Sequence, residues 1–287
     1  MSASQRFQGP SDLHLHSVHS DGTESAAGVL DAAHRHGVHT VALTDHDTTA
    51  GWAEAADAAG SLGVTFIPGM ELSAKHEWRS VHVLAYLFDP DETHLRALTD
   101  RIRASRMDRA RLMADRIARD FDVTWDDILA QTSEGATVGR PHIADALVAR
   151  GFVADRTQAF ADILSPAGDY YVALYAPDPV TAVRRVTEAG GVAIIAHPAG
   201  RAGLLPAPVI ERMLEAGLAG FELGHRENLP GATEALARLC RTRDLIVTGS
   251  SDYHGLGKPN QPGEHTTSDE MVARIIERGS GSAPVYP

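Results

Sequence analysis

Cysteine is nearly absent: Cys240 is the sole thiol among 287 residues. That excludes an internal disulfide and any zinc module built on several thiolates, and it fits a reducing compartment. Long apolar runs are missing too. The longest, such as 83–88, are of strand length, far short of the roughly 20 residues that cross a bilayer, so no membrane partner is expected. Positive charge is in deficit, with 26 Lys and Arg against 38 Asp and Glu for a formal charge of −12. This argues against a protein that holds duplex nucleic acid by bulk charge. The opening MSASQRFQGP lacks the basic-then-apolar layout of a signal peptide, and a cytoplasmic location is expected. Residues 1–10 and the tail from Gly279 are rich in small, polar and Pro residues and read as loosely ordered ends.

Hydrophobic residues at 43% and charged residues at 22% describe a chain with a packed core, not a disordered one. From residue 12 to 90, short apolar runs (12–16, 40–44, 64–68, 81–88) alternate with Ala-rich helical stretches near 24–36 and 49–61, stopped by Gly37 and Gly63. That alternation is the rhythm of an α/β fold with parallel strands. It breaks between about 94 and 164, where the pattern is almost wholly helical, and resumes with strands at 192–196, 220–223 and 245–248 between helices near 179–189, 207–216 and 232–241. Seven strands at this length fit either a (β/α) barrel or an open doubly wound sheet, with 94–175 as a helical insertion.

The composition is rich in histidine, with 15 residues. In barrels and open sheets, working residues collect at the C-terminal ends of strands. His14 and His16 lie on the first strand at i, i+2, so both rings project from one face, and Asp21 follows in the loop. His46 ends the second strand, Glu71 follows the third, His82 lies on the fourth, His197 ends the fifth, and Asp252 with His254 follows the last. One such histidine is ordinarily a hydrogen-bonded structural residue. Nine such groups on or after six strands are different, because burying Asp21, Glu71 and Asp252 together is costly unless cations neutralise them. Imidazole and carboxylate donors suit zinc, manganese or iron. The other histidines (His19, His34, His36, His39, His76, His94 and His265) lack a partner at ligand spacing and are expected mostly at the surface.

The segments DLHLHSVHSDGT, LTDHDT, PGMELS, VHVLAY, GRPHIADAL, AHP and SDYHG, in this order, resemble the PHP (polymerase and histidinol phosphatase) superfamily of metal-dependent phosphoesterases. The resemblance spans about residues 11 to 255. It is strongest to the small bacterial branch that acts on 3′,5′-nucleotide bisphosphates and, from the 5′ end, on short RNA. It implies a distorted seven-stranded (β/α) barrel, at 11–93 and 176–278, with the insertion 94–175 capping the active site, and two or three divalent ions. His14, His16, Glu71 and Asp252 would hold the first; Glu71, His82 and His197 the second; Asp21, His46 and His254 the third. Arg140 and His142 of the Gly-Arg-Pro-His motif would contact substrate phosphate. A histidine that relatives often carry six residues after the position of Glu222 is Asn228 here, with His225 displaced nearby, and either would line the substrate pocket.

The expected reaction is phosphomonoester hydrolysis of a small nucleotide or short oligonucleotide by a metal-bridging hydroxide, with Arg140 clamping phosphate oxygens. Asp252 would be essential, and His142 or a carboxylic acid near the third ion is the candidate proton donor to the leaving group. Asp45 and Asp47 read as groups that orient His46 or neighbouring ligands. The segment 95–120 carries eight arginines against four aspartates. It is either an exposed, ion-paired helix face or an electropositive approach for substrate. Its Ile102, Met107, Leu112 and Ile117 read as one inward apolar face. Trp52, Trp78 and Trp125 are candidate stacking platforms for a base. Two alternatives are a histidinol-phosphate phosphatase and a non-catalytic, metal-binding PHP module.

Overall fold

The computed structural model describes residues 9–133, 136, 138–200 and 202–287. Seven strands, β1 (Ser11–Leu15), β2 (Thr40–Leu43), β3 (Thr65–His76), β4 (Arg79–Tyr86), β5 (Val192–Ile195), β6 (Leu218–Gly224) and β7 (Ile246–Gly249), form one sheet in chain order. The helices are α1 (Ala26–Arg35), α2 (Trp52–Leu62), α3 (Thr93–Ile117), α4 (Trp125–Leu129), α5 (Arg140–Ala149), α6 (Arg156–Asp162), α7 (Pro179–Glu188), α8 (Ala207–Glu215), α9 (Pro230–Arg243) and α10 (Asp269–Arg278). The sheet curls until its edges meet. The Leu13 amide donates to Ser250 Oγ at 3.3 Å and the His16 amide to the Tyr253 carbonyl at 2.9 Å. One apolar cluster takes a residue from each strand (Leu13, Ala42, Ile67, Leu84, Ile194, Ala219 and Ile246) and is closed by Val272 and Ile275 of α10. This is the distorted seven-stranded barrel that the family resemblance implied, where the strand pattern alone left an open sheet equally possible.

The strands are not all parallel. β4 runs antiparallel to both β3 and β5. Only Glu77 and Trp78 separate β3 from β4, and a two-residue connection makes a hairpin, since a parallel crossover needs a dozen residues. Pro68 and Gly69 punctuate the sequence like a loop, yet Gly69 pairs with Tyr86 and the strand continues to His76. Glu71 therefore lies inside β3, not after it.

Helices α3 to α6 lie between β4 and α7. The start of α3 packs on the barrel through Leu95 and Ile102, alongside Val180 and Val183 of α7. Its later half joins α4, α5 and α6 in a separate apolar cluster that includes Met113, Ile117, Ile128, Ile143, Leu147 and Ala159. Ile102 and Ile117 are buried, whereas Met107 and Leu112 are exposed. Steps of five residues advance 500° around a helix, so these four positions cannot share a face.

The tail is not loose. Val285 exchanges two backbone hydrogen bonds with Phe66, at 2.9 and 2.8 Å, and Gly281 and Ser282 donate to the Leu87 carbonyl. The first half of β3 has β2 on one side only, because its pairing with β4 begins at Gly69, and the tail takes up the open edge. At the N-terminus, residues 1–8 of the segment expected to be loose lie outside the described residues. No helix among the described residues is long and apolar enough to cross a membrane.

Candidate metal centre

The barrel brings all nine predicted donors to one end. A bulge in β1, where three steps from Asp12 to Leu15 face two on β2, turns His14 and His16 together, with ring centroids 5.0 Å apart. Glu71, 1% exposed, stands at the centre. Its Oε2 lies 3.2 Å from His14 Nε2, 3.1 Å from His16 Nε2 and 3.2 Å from His46 Nδ1. Its Oε1 lies 2.7 Å from His82 Nδ1 and 3.3 Å from His197 Nε2. Asp252 Oδ1 is 3.4 Å from both His14 and His16, and Asp21 Oδ1 is 3.2 Å from His254 Nε2. Asp47, His197 and Asp252 hold positive φ (56°, 31° and 55°), a backbone strain that clusters at working sites.

The donors fit divalent ions. Two ligands about 2.1 Å from one ion lie about 3.0–3.4 Å apart between octahedral and tetrahedral geometry, which matches most of these separations. Tautomers agree as well. His14 Nδ1–H donates to Glu222 at 3.0 Å, and His254 Nδ1–H donates to the Asp252 carbonyl at 2.9 Å. Each ring therefore turns an Nε2 lone pair toward carboxylate oxygens, and both Nε2 atoms are buried without a hydrogen-bond partner. Lone pair against lone pair is repulsive until positive charge sits between them. Burial disfavours charge on His14, yet Glu71, Glu222 and Asp252 overcome it and hold its pKa well above the ordinary value. For Glu71, burial is likewise outweighed by His82, His46 and His14, and its carboxyl stays well below the usual range.

Three sets of donors are mutually close enough to share an ion: His14, His16, Glu71 and Asp252; His16, Asp21, His46 and His254; and His46, Glu71 and His82. The first coincides with the expected first site. His16 joins the expected third site, and His46 stands between that site and the Glu71–His82 pair. His197 touches Glu71 Oε1 but belongs to none of the three sets.

A cavity of about 960 Å³ opens from Asp21, His46, His82 and His254 and is roofed by Arg106, Arg109, Arg140 and Phe160 of the helical segment. Arg140 reaches it with its guanidinium over the rings of Phe160 and Tyr171, at 5.1 and 5.7 Å. His142 is buried just behind. Its Nδ1 accepts the Gly139 amide at 3.0 Å, which leaves the proton on Nε2. His225 approaches Asp252 Oδ2 at 3.6 Å. Asn228 stays out of the cavity: its amide oxygen accepts from Ala199 and its nitrogen donates to the carbonyls of Glu222 and Leu223, so it pins the loop. Trp78 is 75% exposed on the cavity rim, whereas Trp52 donates to the Gly69 carbonyl inside the fold and Trp125 is half-buried under Arg111. Of the histidines without an expected role, His34, His36, His39 and His94 are exposed, and His19, His76 and His265 are half-buried.

Residues 12–166 match the family model for the PHP domain. The chain belongs to the PHP domain family. It is 33% identical over 272 residues to the 3′,5′-nucleoside bisphosphate phosphatase of Chromobacterium violaceum, covering 93% of this chain and 95% of that one. It is 33% identical over 245 residues to a 5′-3′ exoribonuclease of Haemophilus influenzae, covering 85% and 89% of the two chains. A solved structure from Bifidobacterium adolescentis, described as a candidate metal-dependent phosphoesterase, shares 43% identity and superposes with a TM-score of 0.92 over 94% of this chain and 96% of that one.

Around the PHP centre a further layer of side chains fixes the donors. Asp45 accepts from Ser17 and Ser20, both hydroxyls at 2.6 Å, and Ser20 Oγ stands 3.4 Å from His16 Nδ1, so Asp45 acts on His16 and not on His46. Asp47 accepts from the Ser73 amide and hydroxyl and from Arg106 Nε at 2.9 Å. Glu222, Arg106, Arg109 and Lys258 were not singled out by sequence reasoning. Lys258 Nζ lies 2.5 Å from Asp252 Oδ2 and its pKa is pushed above the ordinary lysine value, because Asp252 and Asp21 outweigh burial.

Proposed function

We propose that this PHP protein hydrolyses phosphate monoesters of small nucleotides, with nucleoside 3′,5′-bisphosphates as preferred substrates and 5′-3′ action on short RNA as a second activity of the same site. The carrying observation is a cluster of nine imidazole and carboxylate donors, eight of them close enough to share ions and His197 beside Glu71, that opens into a cavity roofed by arginines. Similarity along nearly the full chain to the nucleoside bisphosphate phosphatase and the exoribonuclease supports this reading. The histidinol-phosphate alternative has no comparable support.

In this reading His14, His16, Glu71 and Asp252 hold one ion, Glu71 with His82 and His197 a second, and Asp21, His46 and His254 a third, and manganese, zinc or iron suits such donors. Bound there, the ions would supply a water of lowered pKa as nucleophile and positive charge for the transition state. The chain does the rest. Residues 94–175 act as a cap that limits water around the phosphate. Arg140, held flat by Phe160 and Tyr171, offers its fork to the non-bridging oxygens. Hydrolysis forms one P–O bond from water and breaks the ester P–O bond, and the leaving oxygen must gain a proton. His142, whose pKa is lowered by burial, is neutral near pH 7 and serves as a hydrogen-bond donor through Nε2.

The test is phosphate release from adenosine 3′,5′-bisphosphate and p-nitrophenyl phosphate by the purified protein with manganese, and again after chelation. Metal-dependent release is expected. No release from either compound would overturn the reading, and loss of metal with retained activity would remove the metals from it.

A further inference from the structure

Among the described residues, Lys258 is the only Lys or Arg whose side chain pairs with a candidate metal ligand. Its Nζ meets Asp252 Oδ2 at 2.5 Å, while Oδ1 of the same carboxylate faces His14 and His16. Lys258 also lines the cavity, together with Asp21, His46, His82 and His254. The loop that carries it is clasped on either side. The Gly257 amide donates to the His254 carbonyl at 3.2 Å, and the buried Asn260 donates from Nδ2 to the Ser251 carbonyl at 2.6 Å while its Oδ1 accepts from Arg226 at 3.2 Å. An ammonium has three N–H donors. Asp252 takes the one hydrogen bond that the Lys258 side chain makes among the described residues, and 36% of that side chain is exposed. Two N–H groups therefore remain for a ligand in the cavity.

We propose that Lys258 is a catalytic residue: it donates a hydrogen bond to the leaving oxygen of the phosphate ester and offsets the negative charge that builds there as the P–O bond breaks. Attacking and leaving oxygens stand roughly in line at phosphorus, so the leaving oxygen points away from the donor cluster and into the cavity. His142 is buried behind the wall of that cavity, whereas Lys258 forms part of the wall. A compact ammonium suits a single oxygen, as the guanidinium fork of Arg140 suits a pair of non-bridging oxygens. Over one turnover water gives its OH to phosphorus and a proton to the leaving oxygen, and the ammonium ends unchanged. This role rests on the phosphoesterase reading above and extends it to a residue that the nine donors and the helical cap do not include.

The experiment compares wild type, Lys258→Met and Lys258→Gln with manganese on adenosine 3′,5′-bisphosphate and on p-nitrophenyl phosphate. A ribose hydroxyl is a poor leaving group that needs its charge offset, whereas p-nitrophenolate departs unaided. In both variants kcat for the bisphosphate should fall about 100- to 1000-fold, the size of losing one such donor, and kcat for p-nitrophenyl phosphate by less than about 10-fold. Equal losses on the two compounds, or no loss, overturn the proposal. Gln keeps an N–H for Asp252 and decides the matter if the Met variant does not fold. Calorimetry with manganese gives a readout apart from rate: removing a cation beside the candidate ion sites should leave affinity equal or higher. Weaker binding by the Gln variant, or its failure to fold, shows that Lys258 serves to hold Asp252 and also overturns the proposal. Wild type inactive on both compounds overturns the phosphoesterase reading and the proposal with it.

Discussion

Nδ1 of His14 donates to one carboxylate oxygen of Glu222 at 3.0 Å, and the other oxygen takes the His197 amide at 2.8 Å. One fully buried carboxylate thus sets the tautomer of a candidate ligand on β1 and the strained backbone of another after β5. Glu222→Gln keeps the size of the group but has a single acceptor oxygen, so its NH₂ must face either the His14 or the His197 donor. Contacts of this kind are worth about 10- to 100-fold in metal affinity or activity. The expected outcome is a loss of that size in manganese affinity, read by calorimetry, with activity partly restored at high manganese. Unchanged affinity would show that Glu222 has no part in holding His14.

The docked C-terminal tail bears on stability. Deleting 283–287 removes the two backbone hydrogen bonds between Val285 and Phe66 and reopens the edge of β3, while leaving the Ser282 bond to Leu87 in place. At about 0.5–1.5 kcal/mol net per bond, the loss should be about 1–3 kcal/mol, measured by urea denaturation. A truncated chain as stable as the intact one would show that the edge needs no cover.

Most of the donors were legible in the sequence because they sit near strand ends, which an alternating α/β pattern brings together, whereas Glu71 lies inside β3 and was reached through a strand end misplaced at Pro68. Glu222 was not, since its partner His14 is 208 residues away and nothing local in FELG marks it. Arg106 and Arg109 were hidden among the eight arginines of 95–120 because composition cannot tell which face of α3 looks into a cavity. The direction of β4 was lost with the length of β3, whose Pro68-Gly69 pair resembles a turn but pairs as strand. Asn228 shows the converse: its place six residues after Glu222 suggested a substrate contact, but a side-chain amide can satisfy three backbone groups at a loop, and here it does.

Arg106 joins α3 to the barrel by donating to Asp47 Oδ2 at 2.9 Å and Ser73 Oγ at 2.6 Å. Asp47 is fully buried and Arg106 is 9% exposed, so removing one partner strands the other charge. Arg106→Met and Asp47→Asn should each cost about 3–5 kcal/mol in urea denaturation. The double variant should cost much less than the sum of the two, because the second change removes the charge that the first left unpaired. Additive losses would show that the two side chains act independently.

Asp252 offers the sharpest single test of the centre. Its φ of 55° is left-handed, a conformation that Asn accepts readily, so Asp252→Asn preserves the backbone while halving the number of acceptor oxygens and removing the charge. Oδ1 faces His14 and His16 while Oδ2 meets Lys258, and the amide can serve only one of these sides as an acceptor. Activity should fall by more than the about 10- to 100-fold attached to outer contacts, with an unchanged circular dichroism spectrum and fewer metal equivalents by elemental analysis. An undiminished rate would take Asp252 out of the metal centre, and a lost fold would show that its pairing with Lys258 is needed for folding. Asp252→Glu separates charge from reach: it keeps the carboxylate but lengthens it by one methylene, so recovery of metal without recovery of rate would locate the role of Asp252 in its position.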